Sequence, residues 1–219
     1  MSAQAKKSET DSTGVSNSLT IGRLVLRLEA AGILELEGIL GGEFTAAVDA
    51  IFALGDQGRL VVSGMGKSGH VARKIAATLA STGTPALFVH AGEASHGDLG
   101  MVTTRDAVLV LSNSGETPEV ADMVNYCHRF AIPLIAMVAK ADSALGSAAN
   151  ITLALPDITE AGPLGLAPTT STTMMLALGD ALAVALLDHR GFSPENFHAF
   201  HPGGKLGRKL DKVSDLCHT

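Results

Sequence analysis

The sequence is poor in aromatic residues and in cysteine. Phe, Trp and Tyr make up 4% of the 219 residues, and Trp is absent. Proteins that bind single-stranded nucleic acid stack its bases on aromatic side chains, so this composition disfavours that class. The two cysteines, Cys127 and Cys217, cannot frame a disulfide-rich fold and form no CxxC motif. The histidines match no standard spacing of metal ligands, so we expect no bound metal.

Positive charge is also scarce. The chain has 16 Lys and Arg against 22 Asp and Glu, which gives a net charge of −6. This balance argues against nonspecific binding of nucleic acid, and we expect no nucleic-acid partner. An anionic ligand would have to be held by local features, such as a helix N-terminus or a single well-placed lysine, because the overall field repels it.

Long apolar segments are missing as well. No uninterrupted apolar run reaches the ~18 residues that a membrane-spanning helix needs. Residues 1–18 are polar and lack the apolar core of a signal peptide. The sequence therefore predicts a cytoplasmic protein without membrane contact, whose residues 1–18 form a disordered tail.

What the chain does contain is an alternation of strand-like and helix-like segments. Short apolar runs, most of them rich in Val or Ile, are typical of strands buried on both faces. The predicted strands are 60–63, 86–90, 107–112, 134–139 and 151–155. The predicted helices are 19–40, 43–54, 69–81, 118–130, 143–149 and 171–189. This pattern predicts one α/β domain, a three-layer αβα sandwich around a five-stranded parallel sheet.

Two loops rich in glycine and hydroxyl groups follow predicted strands, at residues 63–69 and 112–117. In a parallel sheet, ligands bind at the carboxyl ends of the strands, where the N-termini of helices favour an anion. Lys67 lies just ahead of the predicted helix 69–81, where a cation opposes the dipole unless an anion is present. A tight turn or a helix cap explains part of each loop. The candidate ligand-binding residues are Ser63, Gly64, Ser112, Asn113, Ser114 and Thr117.

The 63–69 loop also matches two nucleotide-binding motifs in part. Gly64, Gly66 and Gly69 fit G-x-G-x-x-G, but a dinucleotide site wants an acid at the end of the second strand, where this chain has His90. A P-loop would need glycine at the position of Val61. The P-loop is therefore excluded, and a dinucleotide site is disfavoured.

Other candidates each have a structural explanation beside the functional one. Glu119 lies in the first turn of a predicted helix, where pairing with the dipole and catalysis are equally good explanations. Five consecutive hydroxyl residues open the last predicted helix, and capping accounts for only one or two, so Ser171 and Thr172 are candidates for a third ligand loop. His96 and His201 precede glycine-rich segments and are acid–base candidates, ahead of metal binding.

Taken together, these segments resemble the sugar isomerase (SIS) domain, and within it the D-arabinose 5-phosphate isomerase family. The resemblance covers about residues 34–219 and rests on segments 64–69, 88–101, 112–117, 163–173, 179–187 and 201–208. It implies interconversion of D-ribulose 5-phosphate and D-arabinose 5-phosphate without a cofactor, at the start of Kdo synthesis for lipopolysaccharide or capsule. It also implies a homotetramer with sites at subunit interfaces.

The resemblance further assigns roles to residues. Those implicated in catalysis are Lys67, His96, Glu119 and His201; those at the phosphate are Ser63, Ser112, Ser114 and Thr117, with Ser171 and Thr172 as neighbours. It places the sugar isomerase domain at 19–211, and 212–219 resembles the lead-in to the two CBS repeats that usually follow it. An isomerase of another phosphosugar and a non-catalytic sugar-phosphate sensor are the alternatives.

Overall fold

The computed structural model describes residues 17–201. The helices are α1 (Asn17–Ile39), α2 (Gly42–Phe52), α3 (Gly66–Ser81), α4 (Ala91–Ala94), α5 (Ala121–Phe130), α6 (Ala144–Ala148), α7 (Thr170–His189) and α8 (Pro194–Phe200). The strands are β1 (Leu60–Gly64), β2 (Ala86–His90), β3 (Ala107–Leu111), β4 (Leu134–Val138) and β5 (Ile151–Ala154). They form one parallel sheet in the order β2-β1-β3-β4-β5.

Helices cover both faces of the sheet, so the predicted three-layer αβα sandwich is confirmed. Alternate residues of β1 enter different cores: Val62 packs with α1, α2, α3 and α7, whereas Val61 packs with α4, α5 and α6. The central strands β1, β3 and β4 are buried along their whole length, while the edge strands β2 and β5 are partly exposed. Burial on both faces explains why the central runs are continuously apolar.

All five predicted strands are present, with ends that differ by at most one residue. Helix α1 begins at Asn17, so the last two residues of the predicted disordered tail are helical. Helices α4 and α8 have no counterpart in the prediction. The rest of that tail, and the predicted CBS lead-in at 212–219, lie outside the described residues.

Helix α7 is, within residues 17–201, long and apolar enough to cross a membrane on length and composition alone. Half of its apolar window is buried inside the protein, against α1, α2 and α3. Residues such as Met175 and Leu182 are fully buried there. This helix therefore belongs to the core of the sandwich.

The strand order reverses direction between β1 and β3. The connection after β1 runs through α3 on one face of the sheet, whereas the connection after β3 runs through α5 on the other face. Such a reversal opens a ligand crevice at the carboxyl ends of the two strands. Gly64 pairs with Leu111 at that point, and a Cβ on Gly64 would lie 3.1 Å from the carbonyl oxygen of Leu111.

At the opposite edge, a buried carboxylate joins the beginnings of the same two strands. Asp106 is 1% exposed and accepts hydrogen bonds from the backbone N–H groups of Arg59 (2.9 Å) and Thr103 (2.8 Å) and from the Thr103 hydroxyl (3.0 Å). Burial alone raises the pKa of Asp106, but the hydrogen bonds from Thr103 and Arg59 outweigh it and hold the pKa below its usual value.

Replacing Asp106 by asparagine should lower the free energy of unfolding by about 1–3 kcal/mol at pH 7, because a buried charged acceptor of several hydrogen bonds is lost. The depressed pKa adds stability above the unfolded-state pKa of about 3.9, and this is lost as pH falls through the folded-state pKa. Urea unfolding of the wild type and of Asp106→Asn between pH 7 and pH 2 measures this. The difference between their free energies of unfolding should become smaller as the pH falls.

The matched control is Asp49→Asn, since Asp49 is exposed on α2. The free energy of unfolding of Asp49→Asn should differ little from that of the wild type at any pH. A gap between wild type and Asp106→Asn that is the same at pH 7 and at pH 2 would contradict the role given to the ionised carboxylate.

Candidate functional site

The carboxyl edge of β1 offers an open helix N-terminus. Helix α3 begins two residues after the strand, and no acidic side chain lies in its first turn. Its first N–H groups have no partner within the helix and carry the positive end of the dipole. Lys67 is exposed in this turn and adds a full positive charge. This end of α3 is therefore suited to a negatively charged group.

The loop at 112–117 folds around its own hydroxyl groups. The Ser112 hydroxyl lies 2.8 Å from that of Thr117 and accepts a hydrogen bond from the N–H of Gly115 at 3.1 Å. Ser114 accepts one from the N–H of Glu116 at 3.2 Å. Asn113 and Ser114 are exposed, whereas Ser112 is buried. Ser112 and Thr117 thus shape the turn, and its exposed polar groups are left to meet a ligand.

Gly115 lets this loop dock on the next connection of the sheet. Its φ is +69°, and a Cβ there would lie 1.9 Å from Oγ and 2.5 Å from Cβ of Ser143. The carbonyl oxygen of Gly115 accepts a hydrogen bond from the N–H of Leu145, and Glu116 accepts one from the N–H of Ala144. The loop is therefore held against the start of α6.

His96 and Glu119 are brought to the same edge by different strands. Glu119 lies in a 3₁₀ turn (Pro118–Val120) just ahead of α5, and His96 follows α4. The Ser95 hydroxyl donates to the carboxylate of Asp122 at 2.6 Å, which links the two segments. Both His96 and Glu119 are exposed. Together with Lys67, three of the four predicted catalytic residues therefore lie at the carboxyl edge.

His201 does not join them within one chain. It ends α8, whose Phe200 lines a cavity together with Asp56 and Gly83, which precede β1 and β2. The ring of His201 stacks on Phe197 at 4.0 Å. The sequence analysis grouped His201 with Lys67, His96 and Glu119 as a catalytic residue, but within one chain it lies at the opposite edge of the sheet, because α7 carries the chain there. The residues after it lie outside the described part of the chain.

The hydroxyl groups at the start of α7 are bound to an acid that the sequence analysis missed. Glu160 accepts hydrogen bonds from the N–H groups of Thr169 (2.8 Å) and Ser171 (3.2 Å) and from both their hydroxyls. Thr172 donates its hydroxyl to the carbonyl oxygen of Thr169. The helix end predicted as a third ligand loop is thus occupied by the protein's own carboxylate.

The surroundings of Glu160 favour its ionised form. Burial raises the pKa of Glu160, but the hydrogen bonds from Ser171 and Thr169 outweigh it and hold the pKa below its usual value. The signal in the sequence was an acid shortly ahead of a hydroxyl-rich helix start, which is the arrangement of a helix cap.

Buried polar side-chain atoms without a partner mark the same edge. Among the described residues these are Ser63 Oγ, His90 Nδ1 and Thr170 Oγ1. They stand near the end of β1, at the end of β2 and at the start of α7. Folded proteins rarely leave buried polar atoms unpaired, so Ser63 and His90, at the ends of two paired strands, point to a ligand site. Ser63 was predicted, and His90 had served only as evidence against a dinucleotide. Thr170 belongs to the hydroxyl run predicted as a third ligand loop, but Ser171 and Thr172 were singled out there instead.

Residues 17–201 contain no group of three or more His, Cys, Asp or Glu side chains placed to hold a metal ion. The groups that the structure brings to this edge are a lysine, a histidine, a carboxylate and backbone N–H groups.

Comparison with known proteins identifies the fold family. The family model of the SIS domain matches residues 53–185, which include β1 to β5 and most of α7. The chain belongs to the SIS domain family. A solved SIS structure from E. coli CFT073, in complex with A5P, is 37% identical, with a TM-score of 0.81, and the match covers 86% of this chain and all of that one.

Two further relatives agree with this SIS assignment. A Bacteroides fragilis structure, described as a putative phosphosugar isomerase involved in capsule formation, is 35% identical with a TM-score of 0.82, over 86% of this chain and 99% of that one. The arabinose 5-phosphate isomerase KdsD of Yersinia pestis is 54% identical over 199 residues, or 90% of this chain. The chain spans about 60% of the length of that relative.

Gly115→Ala should lower the free energy of unfolding by about 1–3 kcal/mol, because it adds both a left-handed backbone strain and a clash with Ser143. Gly165→Ala is the matched control: its φ is +59°, but the nearest atom to its Cβ would be 3.5 Å away. Urea unfolding at pH 7 measures the loss of stability in each of the two variants. Equal losses for the two variants would show that contact with Ser143 does not hold the loop.

Proposed function

We propose that this chain interconverts D-arabinose 5-phosphate and D-ribulose 5-phosphate. The observation that carries the proposal is the pairing of β1 with β3, which brings Lys67 and the N-terminus of α3 to the same edge of the sheet as the 112–117 loop. The likeness to an SIS structure in complex with A5P and to arabinose 5-phosphate isomerases supports this substrate.

The phosphate group is held by the 112–117 loop in this proposal. The chain has a net charge of −6, so local groups must supply the attraction. The exposed Ser114 and Asn113, the hydroxyl of Thr117 and the N–H groups ahead of α5 lie at one turn. Oriented N–H groups and hydroxyls of this kind bind phosphate without requiring a strongly basic surface. The unpaired hydroxyl of Ser63 lies at the neighbouring strand end.

Isomerisation between an aldose and a ketose opens the sugar ring and moves a proton between C1 and C2 through an enediolate. No external oxidant or reductant is needed, because the two carbons exchange oxidation states. Lys67, at the positive end of α3, stabilises the enediolate oxygen. Glu119 and His201 are the alternatives for the carbon base, and His96 assists ring opening.

The same proposal includes a homotetramer, in which His201 serves the site of a neighbouring subunit. Two features support it. His201 lies at the edge of the sheet opposite Lys67 within one chain. Helix α1 also exposes large apolar side chains, among them Leu26 at 68% and Leu34 at 66%, and apolar surface of this kind is typical of subunit contacts. We place the enzyme in the cytoplasm, at the first step of Kdo synthesis.

Purified protein given arabinose 5-phosphate should form ribulose 5-phosphate. Lys67→Met and Glu119→Gln should each lower kcat by at least about a hundredfold, the usual contribution of acid–base and electrostatic groups. A colorimetric ketose assay with calorimetric measurement of binding separates kcat from affinity. The control is Glu43→Gln, an exposed carboxylate on α2 that should keep full activity.

Near-normal turnover in both variants would overturn the residue assignment. A folded protein that binds arabinose 5-phosphate but never converts it would instead support a sugar-phosphate sensor. Conversion of a different phosphosugar in preference to arabinose 5-phosphate would replace the substrate and leave the reaction class in place.

Mixing two inactive variants tests whether sites are shared between subunits. Lys67→Met and His201→Ala, unfolded and refolded together, should regain about a quarter of wild-type activity, because a quarter of the shared sites then hold both native residues. Light scattering on each sample checks for the tetramer. Mixed oligomers without any regained activity would show that His201 does not act in a neighbour's site.

A further inference from the structure

The guanidinium group of Arg73 packs on the face of an aromatic ring and not beside a carboxylate. Its guanidinium carbon lies 4.3 Å from the centroid of the Phe88 ring. Within residues 17–201 it forms no ion pair, whereas its neighbour Lys74 pairs with Asp180. Arg73 is exposed on α3, the same helix that carries Lys67 in its first turn. The stack therefore ties the helix that carries Lys67 to the edge strand β2 through a cation–π contact.

Phe88 in turn contacts the ring of His90. The two side chains lie on the same face of β2, with ring centroids 6.2 Å apart and an angle of 66° between the planes. On its other side, His90 lies against the backbone of Gly92, where a Cβ would come within 3.3 Å of Nδ1 and Cε1. The ring of His90 is thus bounded by Phe88 and by Gly92, where any larger residue would bring its Cβ into tight contact with the ring.

This packing decides which nitrogen of His90 is available. Nδ1 is buried and has no hydrogen-bond partner among residues 17–201, whereas Nε2 is not among the buried unpaired atoms of that part of the chain. His90 pairs in register with Gly64, at the end of β1 beside the loop that carries Lys67. Nε2 is therefore the nitrogen that can meet a ligand at the carboxyl edge.

We propose that Arg73 is a positioning residue, which acts through Phe88 to hold the His90 ring with Nε2 turned to the sugar phosphate. The proposal rests on the proposed isomerase function for its kinetic readout. Arg73 itself touches neither the substrate nor the reacting atoms. Its effect is to limit the rotation of a histidine at the end of an edge strand, where only one neighbouring strand restrains the backbone.

Arg73→Ala should lower kcat/KM for arabinose 5-phosphate by about tenfold, since a misplaced binding group is costly even when the chemistry is intact. Arg73→Lys should stay within about threefold of wild type, because an ammonium group also binds an aromatic face. Lys74→Ala is the matched control: it removes a positive charge from the adjacent position on α3 and should change kcat/KM less than about twofold.

A double-mutant comparison separates positioning from a general loss of charge or stability. In a His90→Gln background, Arg73→Ala should cause no further loss, because the residue through which Arg73 acts is already gone. Phe88→Leu should reproduce the loss seen for Arg73→Ala in the native background. Losses that multiply in the double variant, or an equal loss for Lys74→Ala, would overturn the proposal.

The last measurement does not depend on activity. The ring ¹H–¹⁵N signals of His90, assigned through His90→Gln, should move in Arg73→Ala and stay in place in Lys74→Ala and Arg73→Lys. Unmoved signals in Arg73→Ala would overturn the positioning role. If the wild-type protein does not convert arabinose 5-phosphate, the proposed function fails, and these signals still decide whether Arg73 holds the ring.

Discussion

The parallel pairing of β1 with β3 is the contact on which the site depends. It places the end of β1, with the start of α3, beside the end of β3, with the 112–117 loop. Because the two connections leave on opposite faces, the helices diverge and leave a crevice between them. Asp106 secures the amino ends of the same pair, and Gly64 lets the carboxyl ends approach. Any slip in this pairing would separate the two halves of the site.

The N-termini of α3 and α7 differ in whether a carboxylate of the protein neutralises their positive end. The start of α3 has no internal carboxylate and presents Lys67, whereas the start of α7 is filled by Glu160. A chain with a net charge of −6 thus keeps one positive helix end open for an anion and neutralises another internally. Selective capping, and not overall charge, determines which of these two helix ends can attract an anion.

The errors of the sequence analysis have physical causes. The run of hydroxyls at the start of α7 was predicted as a ligand loop, but capping by a distant acid accounts for Ser171, and local pairing accounts for Thr172. Glu160 lies nine residues ahead of Thr169, so the acid and the helix start that it caps do not form one short motif, although both are visible in the sequence. His90 was undervalued because its environment depends on Phe88 and Gly92 together. His201 was placed with the others because glycine-rich segments mark loops without showing the edge at which they lie.

By itself, the sequence determined the αβα class, the strand positions and the two loops rich in glycine and hydroxyl groups after β1 and β3, since these depend on local patterns of apolar runs, glycines and hydroxyls. Only the tertiary structure decided that β1 lies beside β3, that Glu160 occupies the start of α7, and that His201 stands at the far edge from Lys67. Strand order and long-range hydrogen bonds bring together residues that are far apart in the chain. Local sequence patterns do not predict which of these residues will be in contact.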